Sequence, residues 1–108
     1  MKKSKNKFEL IYDVKVADHV RMIERKYHSF VRKKIEEQLF YDPGVESKNR
    51  KPMIRSTEIG ANWELRFGPD NRFRVFYRVD MSEFKVYILA IGVKTGNRLI
   101  IGREEFQL

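Results

Sequence analysis

A strict alternation of apolar and charged side chains in two neighbouring runs, residues 63–67 and 72–79, constrains the fold of this chain more than any other feature. Successive side chains of a β-strand point to opposite faces of the sheet, so each run predicts a strand with one apolar face. Between the runs, Gly68-Pro69-Asp70-Asn71 suits a type I turn, with Pro69 at its second position and Asn71 tolerating a positive φ. The two runs are therefore predicted to form a hairpin.

The other face of the predicted hairpin is basic. Arg66 lies on its first strand, Arg72, Arg74 and Arg78 belong to its second, and Glu64 is the carboxylate among them. Arginines repeated at period two on adjacent strands repel one another unless an anion lies over them. This face therefore predicts binding of a polyanion. The alternative interpretation is an ordinary solvated sheet face.

Two aromatic residues of the hairpin differ in their predicted surroundings. Trp63 shares a face with Leu65 and Phe67, which favours packing in the core over stacking on a nucleobase. Phe76 lies on the arginine side, between Arg74 and Arg78. It is predicted to be either a stacking platform or a residue covered by a helix.

Composition limits the protein to a single small domain with a basic surface. At 108 residues the chain is long enough for one core and too short for two. Its 23 Lys and Arg outnumber 15 Asp and Glu, and the net charge of +8 favours partners rich in phosphate or an acidic protein. Residues 1–7 are predicted to be a basic flexible tail and residues 8–108 one domain.

Several chemistries and locations are disfavoured by the residues present. The chain has no cysteine, which excludes disulfides, thiolate nucleophiles and thiolate zinc sites. Its longest apolar run, 86–93, is far shorter than the roughly 20 residues that cross a bilayer, and no apolar signal core follows the N-terminal lysines. His19 and His28 share no metal-binding face and are predicted to be helix-surface residues, while the glycines form no phosphate-binding fingerprint. We expect a cytoplasmic protein without cofactor or metal.

Residues 16–41 contain neither Gly nor Pro and are predicted to be helical. The apolar residues of the first part follow helical spacing, but those of the second part lie roughly 100° away around the helix axis. A break near His28-Ser29, giving two short antiparallel helices, would let each helix bury its own stripe, and one curved helix is the alternative. The two stripes are Val16, Val20, Ile23 and Tyr27, followed by Val31, Ile35 and Leu39.

The remaining segments complete the predicted fold. Residues 8–14 predict a first strand, 42–44 end the helical region, and 45–59 predict a basic loop. Residues 86–93, apolar on both faces, predict a central strand, and 99–101 predict a short last strand. The predicted class is α+β, an antiparallel sheet of about four strands in which an N-terminal strand is followed by two helices packed on one face.

The order of these segments resembles the RelE/ParE superfamily of toxin–antitoxin toxins over about residues 8–101. RelE-like members cut messenger RNA in the ribosomal A site, whereas ParE-like members poison DNA gyrase, and a cognate antitoxin holds both inactive. The resemblance implies a RelE-like fold, an acidic antitoxin as partner, and either the ribosome and messenger RNA or DNA gyrase as target. It rests on four segments, Lys48-Asn49-Arg50-Lys51-Pro52, Trp63-Glu64-Leu65-Arg66-Phe67, Arg72-Phe73-Arg74-Val75-Phe76-Tyr77 and Leu89-Ala90-Ile91-Gly92-Val93-Lys94.

Residue by residue, the RelE-type pattern of basic side chains on the sheet matches at Arg66, Arg74 and Lys94. Two positions depart from it. Glu64 stands where some relatives have a lysine, and Ile100 falls near the place of a C-terminal tyrosine that stacks on a base. These departures favour the alternative of a noncatalytic, ParE-like gyrase inhibitor, or an inactive RNA-binding relative.

The implied reaction is attack of the RNA 2′-hydroxyl on the adjacent phosphate, which needs a proton acceptor, a proton donor and stabilisation of charge. Arg66 and Arg74 suit charge stabilisation because guanidinium groups stay protonated and present paired donors, and Lys94 is expected to assist. Glu64 is the candidate base, and its alternative role is that of a cross-strand partner for an arginine. The resemblance thus implies a metal-independent endoribonuclease that inhibits translation. Further phosphate contacts are predicted at Lys48, Arg50, Lys51, Arg72 and Arg78.

Overall fold

The structure, a computed structural model, describes residues 6–53 and 60–107. Most of the predicted tail and the end of the predicted basic loop, residues 54–59, lie outside these ranges. None of the helices in the described ranges has the length and apolar character needed to cross a membrane. The elements are β1 (Glu9–Tyr12), α1 (Val16–Arg21), α2 (His28–Leu39), β2 (Arg50–Pro52), β3 (Trp63–Phe67), β4 (Phe73–Asp80), β5 (Lys85–Thr95), β6 (Arg98–Ile101) and β7 (Glu104–Gln107).

The strands form one sheet in the order β2-β3-β4-β5-β6-β7, and β1 pairs with β5 in parallel. The predicted α+β class and the hairpin of β3 and β4 are confirmed. The predicted number of about four strands is wrong, because the described residues form a sheet of seven. The two strands that have no predicted counterpart are β2, which lies in the predicted basic loop, and β7, whose four residues are all exposed and lack an apolar face.

The helical region is divided into two helices, as the two apolar stripes predict, but at a different place. α1 ends at Arg21, the 3₁₀ turn Arg25–Tyr27 follows, and His28 begins α2. The break thus lies before His28 rather than at it. α2 buries the second stripe, Val31, Ile35 and Leu39. The first stripe extends beyond α1, which contains Val16 and Val20, because Ile23 and Tyr27 lie after its end.

The main core lies between the helices and the face of the sheet that we call the inner face. Tyr77 is fully buried there, and its hydroxyl donates a hydrogen bond of 2.7 Å to the Pro43 carbonyl. Burial raises the pKa of this hydroxyl, so it stays protonated and keeps its bond. The Trp63 ring stacks on Tyr77 with 6.2 Å between ring centroids, which confirms its predicted packing against the core.

A second, smaller apolar cluster lies on the opposite face, which we call the outer face. Phe76 is 5% exposed, and it packs there with Ala61, Ala90 and Leu99. Its burial rules out the stacking platform among the two predicted roles. Among the described residues, its cluster consists of strand residues together with Met53 and Ala61, and no helix residue belongs to it.

Gly92 lets this cluster close over β5. A Cβ atom added at Gly92 would lie 2.8 Å from Cγ1 of Ile101 and 2.9 Å from the carbonyl oxygen of Ile100. Both distances are shorter than van der Waals contact, and the carbonyl belongs to the neighbouring strand, so it cannot rotate away. Position 92 of β5 therefore requires a residue without a side chain, because β6 approaches it closely.

We expect Gly92→Ala to lower the free energy of unfolding by about 1–3 kcal/mol, because the methyl group forces β6 away from β5. Urea unfolding followed by circular dichroism measures this change. Gly44→Ala is the matched control, since its Cβ would lie at an ordinary 3.5 Å from Met81 Sδ. Equal effects of the two substitutions would contradict the close approach at Gly92.

The side chain of His19 binds a backbone N–H on one edge of β5, between the part of that edge that pairs with β1 and the part that pairs with β6. Pairing with β1 ends at Ile88 and pairing with β6 begins at Gly92. Between these ladders, the Ile91 N–H donates to Nδ1 of His19 at 3.3 Å. Only a nitrogen without a proton can accept this bond. The prediction that His19 is a plain helix-surface residue is therefore wrong.

The same prediction is wrong for His28. This residue is half-buried, and its Nε2 lies 2.8 Å from the carbonyl oxygen of Ile23. It thus joins the start of α2 to the segment before it.

Burial lowers the pKa of His19 from its ordinary value of 6.5, although Asp18, Asp13 and Glu104 oppose the shift. The unfolded chain therefore binds a proton at His19 at a higher pH than the folded protein does. We expect stability to decline as pH falls from 6.5 to the lowered pKa of the folded state, below which both states are protonated.

Chemical unfolding on both sides of this window measures the effect. His19→Gln should remove this component of the pH dependence. His28→Gln should keep it, since an amide can still donate to the Ile23 carbonyl. An unchanged pH dependence in His19→Gln would contradict the assignment.

Candidate functional site

Glu64, Arg66 and Arg74 form a network of ion pairs on the outer face. Nε of Arg66 donates to Oε1 of Glu64 at 2.9 Å, and Nη1 of Arg74 donates to Oε2 at 2.9 Å. The carboxylate therefore bridges the two guanidinium groups with a different oxygen for each. Arg66 and Arg74 are direct partners across β3 and β4, and Glu64 lies on the same face because side chains alternate.

The network is buried to different depths at its two ends. The side chain of Arg74 is 9% exposed and that of Glu64 10%, whereas that of Arg66 is 40% exposed. Arg74 is thus enclosed by protein, and Arg66 connects the network with solvent. Hydrogen bonds to charged groups strengthen where water is excluded, so the Arg74–Glu64 pair fixes the geometry of the site.

The turn before β4 holds Arg74 from a second side. Nε of Arg74 donates to the backbone carbonyl oxygen of Asn71 at 2.8 Å. Asn71 has a φ of 51°, as the sequence predicts. The prediction of a type I turn is wrong, because Asp70, the third residue of the turn, has a positive φ of 55°. Asn and Asp tolerate this left-handed conformation better than most residues. The turn therefore does more than connect two strands, because its carbonyl orients the arginine.

Asn49 holds the backbone of Arg66 from the other side of β3. The Arg66 N–H donates to the Asn49 carbonyl oxygen at 2.9 Å, and Nδ2 of Asn49 donates to the Arg66 carbonyl oxygen at 2.8 Å. Sequence reasoning missed these positioning roles of Asn49 and Asn71. The sequence signal for Asn71 was its position in the predicted turn, whereas Asn49 lies outside the predicted hairpin and carried no such signal.

Two lysines extend the basic surface around the network. Lys51 is the direct partner of Glu64 across β2 and β3, and its Nζ lies 3.8 Å from a carboxylate oxygen of Glu46. Lys94 is two residues beyond Gly92, the strand partner of Arg74, and so faces the same side. Glu64, Arg66, Arg74, Lys51 and Lys94 therefore share one part of the outer face.

Other predicted phosphate contacts lie elsewhere. Arg50 is turned to the inner face, where Nη1 donates to the carbonyl oxygen and Oε1 of Gln38 and Nε to the Val45 carbonyl. Arg72 lines a cavity of about 200 Å³ between α1 and the sheet. Lys48 is exposed in the loop between α2 and β2. Arg78 is on the outer face four residues from Arg74, with its guanidinium 4.4 Å from the centre of the Tyr87 ring.

Ile100 does not lie where its side chain could stack on a base bound beside Arg66 and Arg74. It pairs with Val93 and lines the same cavity between α1 and the sheet, on the inner side. Ile101 lies on the outer side instead, where it packs against the cluster of Phe76. An aromatic residue at position 100 would thus face away from Arg66 and Arg74.

We expect Arg50→Ala to lower the free energy of unfolding by about 1–3 kcal/mol, because it removes the donors to the Gln38 and Val45 carbonyls. Lys48→Ala, in the same loop but exposed, is the matched control and should change stability by less than about 0.5 kcal/mol. Thermal or urea unfolding compares the two. Equal stabilities would show that Arg50 contributes only charge.

No family model, curated protein or solved structure was found to match this chain when it was compared with all three. The geometry of the outer face is therefore the basis for the proposal that follows.

Proposed function

We propose that this protein is a RelE-like toxin of a type II toxin–antitoxin pair, a ribosome-dependent endoribonuclease that cleaves messenger RNA and so inhibits translation. The observation behind the proposal is the bridging of Arg66 and Arg74 by Glu64, with Lys51 and Lys94 on the same face. Two oriented guanidinium groups around one anion are the donor set that a phosphodiester in a transition state requires.

Each member of the network has a role in the proposed reaction. Arg66 and Arg74 bind the non-bridging oxygens of the phosphate and stabilise the charge that grows as the 2′-hydroxyl attacks. Glu64 accepts the hydroxyl proton, since it is the carboxylate in contact with both arginines. As the 2′ oxygen bonds to phosphorus, the bond from phosphorus to the 5′ oxygen breaks, and the 5′ oxygen takes a proton from water beside the positive charge of Lys94. Lys51 contacts the neighbouring phosphate.

The partners follow from the same surface. An acidic antitoxin segment that places carboxylates over Arg66 and Lys94 would neutralise the site, because charge complementarity favours that arrangement. Ribosomal RNA and messenger RNA supply phosphates for the outer face, which places the activity in the cytoplasm.

The second candidate is a noncatalytic, ParE-like inhibitor of DNA gyrase. Two observations favour it. Glu64 already neutralises one of its two arginines, and Ile100 faces the inner side, so that no aromatic side chain at this position stacks on a base. In that case the charged network would support the shape of the sheet rather than a reaction.

Arg66→Ala tests the nuclease directly. Loss of one preorganised donor should lower the rate of messenger cleavage on purified ribosomes by about 10²–10³. Arg66 is preferred over Arg74, since Glu64 then keeps its buried partner and the variant retains its fold. The matched control is Arg98→Ala, which removes an exposed arginine paired with Glu105 on another part of the sheet.

The measurement is mapping of RNA ends after a timed reaction. The proposal requires cleavage by the wild type and by Arg98→Ala, and little by Arg66→Ala. If Arg66→Ala stays fully toxic while gyrase-linked DNA breaks accumulate, the gyrase candidate replaces the nuclease.

A further inference from the structure

The place that an anion would take between Arg66 and Arg74 is occupied by a side chain of the protein itself. Glu64 offers one oxygen to Nε of Arg66 and the other to Nη1 of Arg74, each at 2.9 Å. Guanidinium groups bind carboxylates and phosphates through the same paired N–H donors. The carboxylate of Glu64 thus occupies a site whose donors equally suit a phosphate.

We propose that this network is an anion site closed by its own carboxylate, and that a phosphate group opens it by replacing Glu64 between the two arginines. The inference concerns the regulation of the proposed nuclease site, so its catalytic meaning rests on that function. The exchange itself is a property of the three side chains. The ligand class is a phosphate mono- or diester.

The Arg74 side chain and the backbone of Arg66 stay in place when the carboxylate leaves. Arg74 remains bonded through Nε to the Asn71 carbonyl, which is a backbone atom of the turn. The backbone of Arg66 remains bonded to Asn49 by two hydrogen bonds. Because the Arg74 guanidinium keeps its orientation, an incoming anion has to order only one long side chain, that of Arg66.

Access to the site comes from the side of Arg66. Its side chain is 40% exposed, whereas those of Glu64 and Arg74 are about one-tenth exposed. A phosphate therefore meets Arg66 first and then competes with Glu64 for Arg74. This order explains how the buried Arg74 can contact a ligand.

The displaced carboxylate has a second partner beside it. Lys51 faces Glu64 directly across β2 and β3, where Cβ atoms of paired residues lie about 4.5–5.5 Å apart. Its present contact, to the exposed carboxylate of Glu46, is long at 3.8 Å and so costs little to give up. Lys51 can therefore serve as an ion-pair partner for Glu64 after the carboxylate has left the two arginines.

For the proposed nuclease, this exchange releases the base only when a phosphate is bound. While Glu64 accepts hydrogen bonds from two guanidinium groups, both its oxygens are engaged. Once the phosphate takes those donors, one oxygen becomes available to accept the proton of the 2′-hydroxyl. Substrate binding then assembles the site.

The test is titration of inorganic phosphate into the folded protein, followed by the Nε–H resonances of Arg66 and Arg74. Glu64→Gln removes the charge that competes for the site, so we expect it to bind phosphate roughly tenfold to a hundredfold tighter than the wild type. Adding Arg66→Ala to Glu64→Gln should abolish that gain.

Glu105→Gln is the matched control, because it also raises the net charge by one and also leaves an arginine, Arg98, without its carboxylate. Equal phosphate affinities in Glu64→Gln and Glu105→Gln would overturn the inference, since net charge alone would then explain binding. Glu64→Asp is a second variant, which keeps the charge but is too short to bridge both arginines. It too should bind phosphate more tightly than the wild type, and an unchanged affinity would count against the exchange.

The two proposals fail separately. Tighter phosphate binding by Glu64→Gln, together with a wild type that leaves messenger RNA intact, would support the closed anion site and refute the nuclease. Unchanged phosphate binding in both Glu64 variants, together with cleavage that depends on Arg66, would refute the closed site and keep the nuclease.

Discussion

The structure depends on the backbone hydrogen bonds of β5, because both edges of this eleven-residue strand need partners along a largely buried length. β4 pairs with one edge from Lys85 to Val93. The other edge is shared by β1 and the side chain of His19, both from the N-terminal part of the chain, and by β6, which follows β5 directly. An unpaired buried N–H costs about 1–3 kcal/mol, so each contribution is needed for the sheet to close.

The two faces of the sheet carry different kinds of side chain, although both follow from the same alternating pattern. The inner face buries large apolar residues under the helices, and the outer face combines an apolar cluster around Phe76 with the charged network beside it. Taking Arg74 and Glu64 out of water has a desolvation cost that their attraction only partly offsets. Because Asn71 supplies a further acceptor to Arg74, the network fixes positions of donors more than it adds stability.

The spacing of apolar residues along the chain predicted the strands, where apolar side chains repeat at period two, and the helices, where they form a stripe. The β3–β4 hairpin, the central strand and the two helices follow from such patterns. β2 could not be predicted in this way, since three residues ending in proline form no pattern, and its pairing depends on Asn49 and on the neighbouring β3. The role of His19 also escaped prediction, because its partner Ile91 is 72 residues away in the sequence.

At the site, the alternation of side chains along the strands predicted which charged residues share the outer face, but it did not predict how exposed their side chains are. Arg66 and Arg74 are equivalent in the pattern, yet one side chain is 40% exposed and the other 9%. The difference comes from tertiary contacts. Gly92, opposite Arg74, allows Ile101 and Leu99 to approach closely, and Glu64 covers the remaining side. An arginine enclosed in this way attracts an anion only through its exposed neighbour, so the order of Arg66 before Arg74 is a physical consequence of packing rather than of charge.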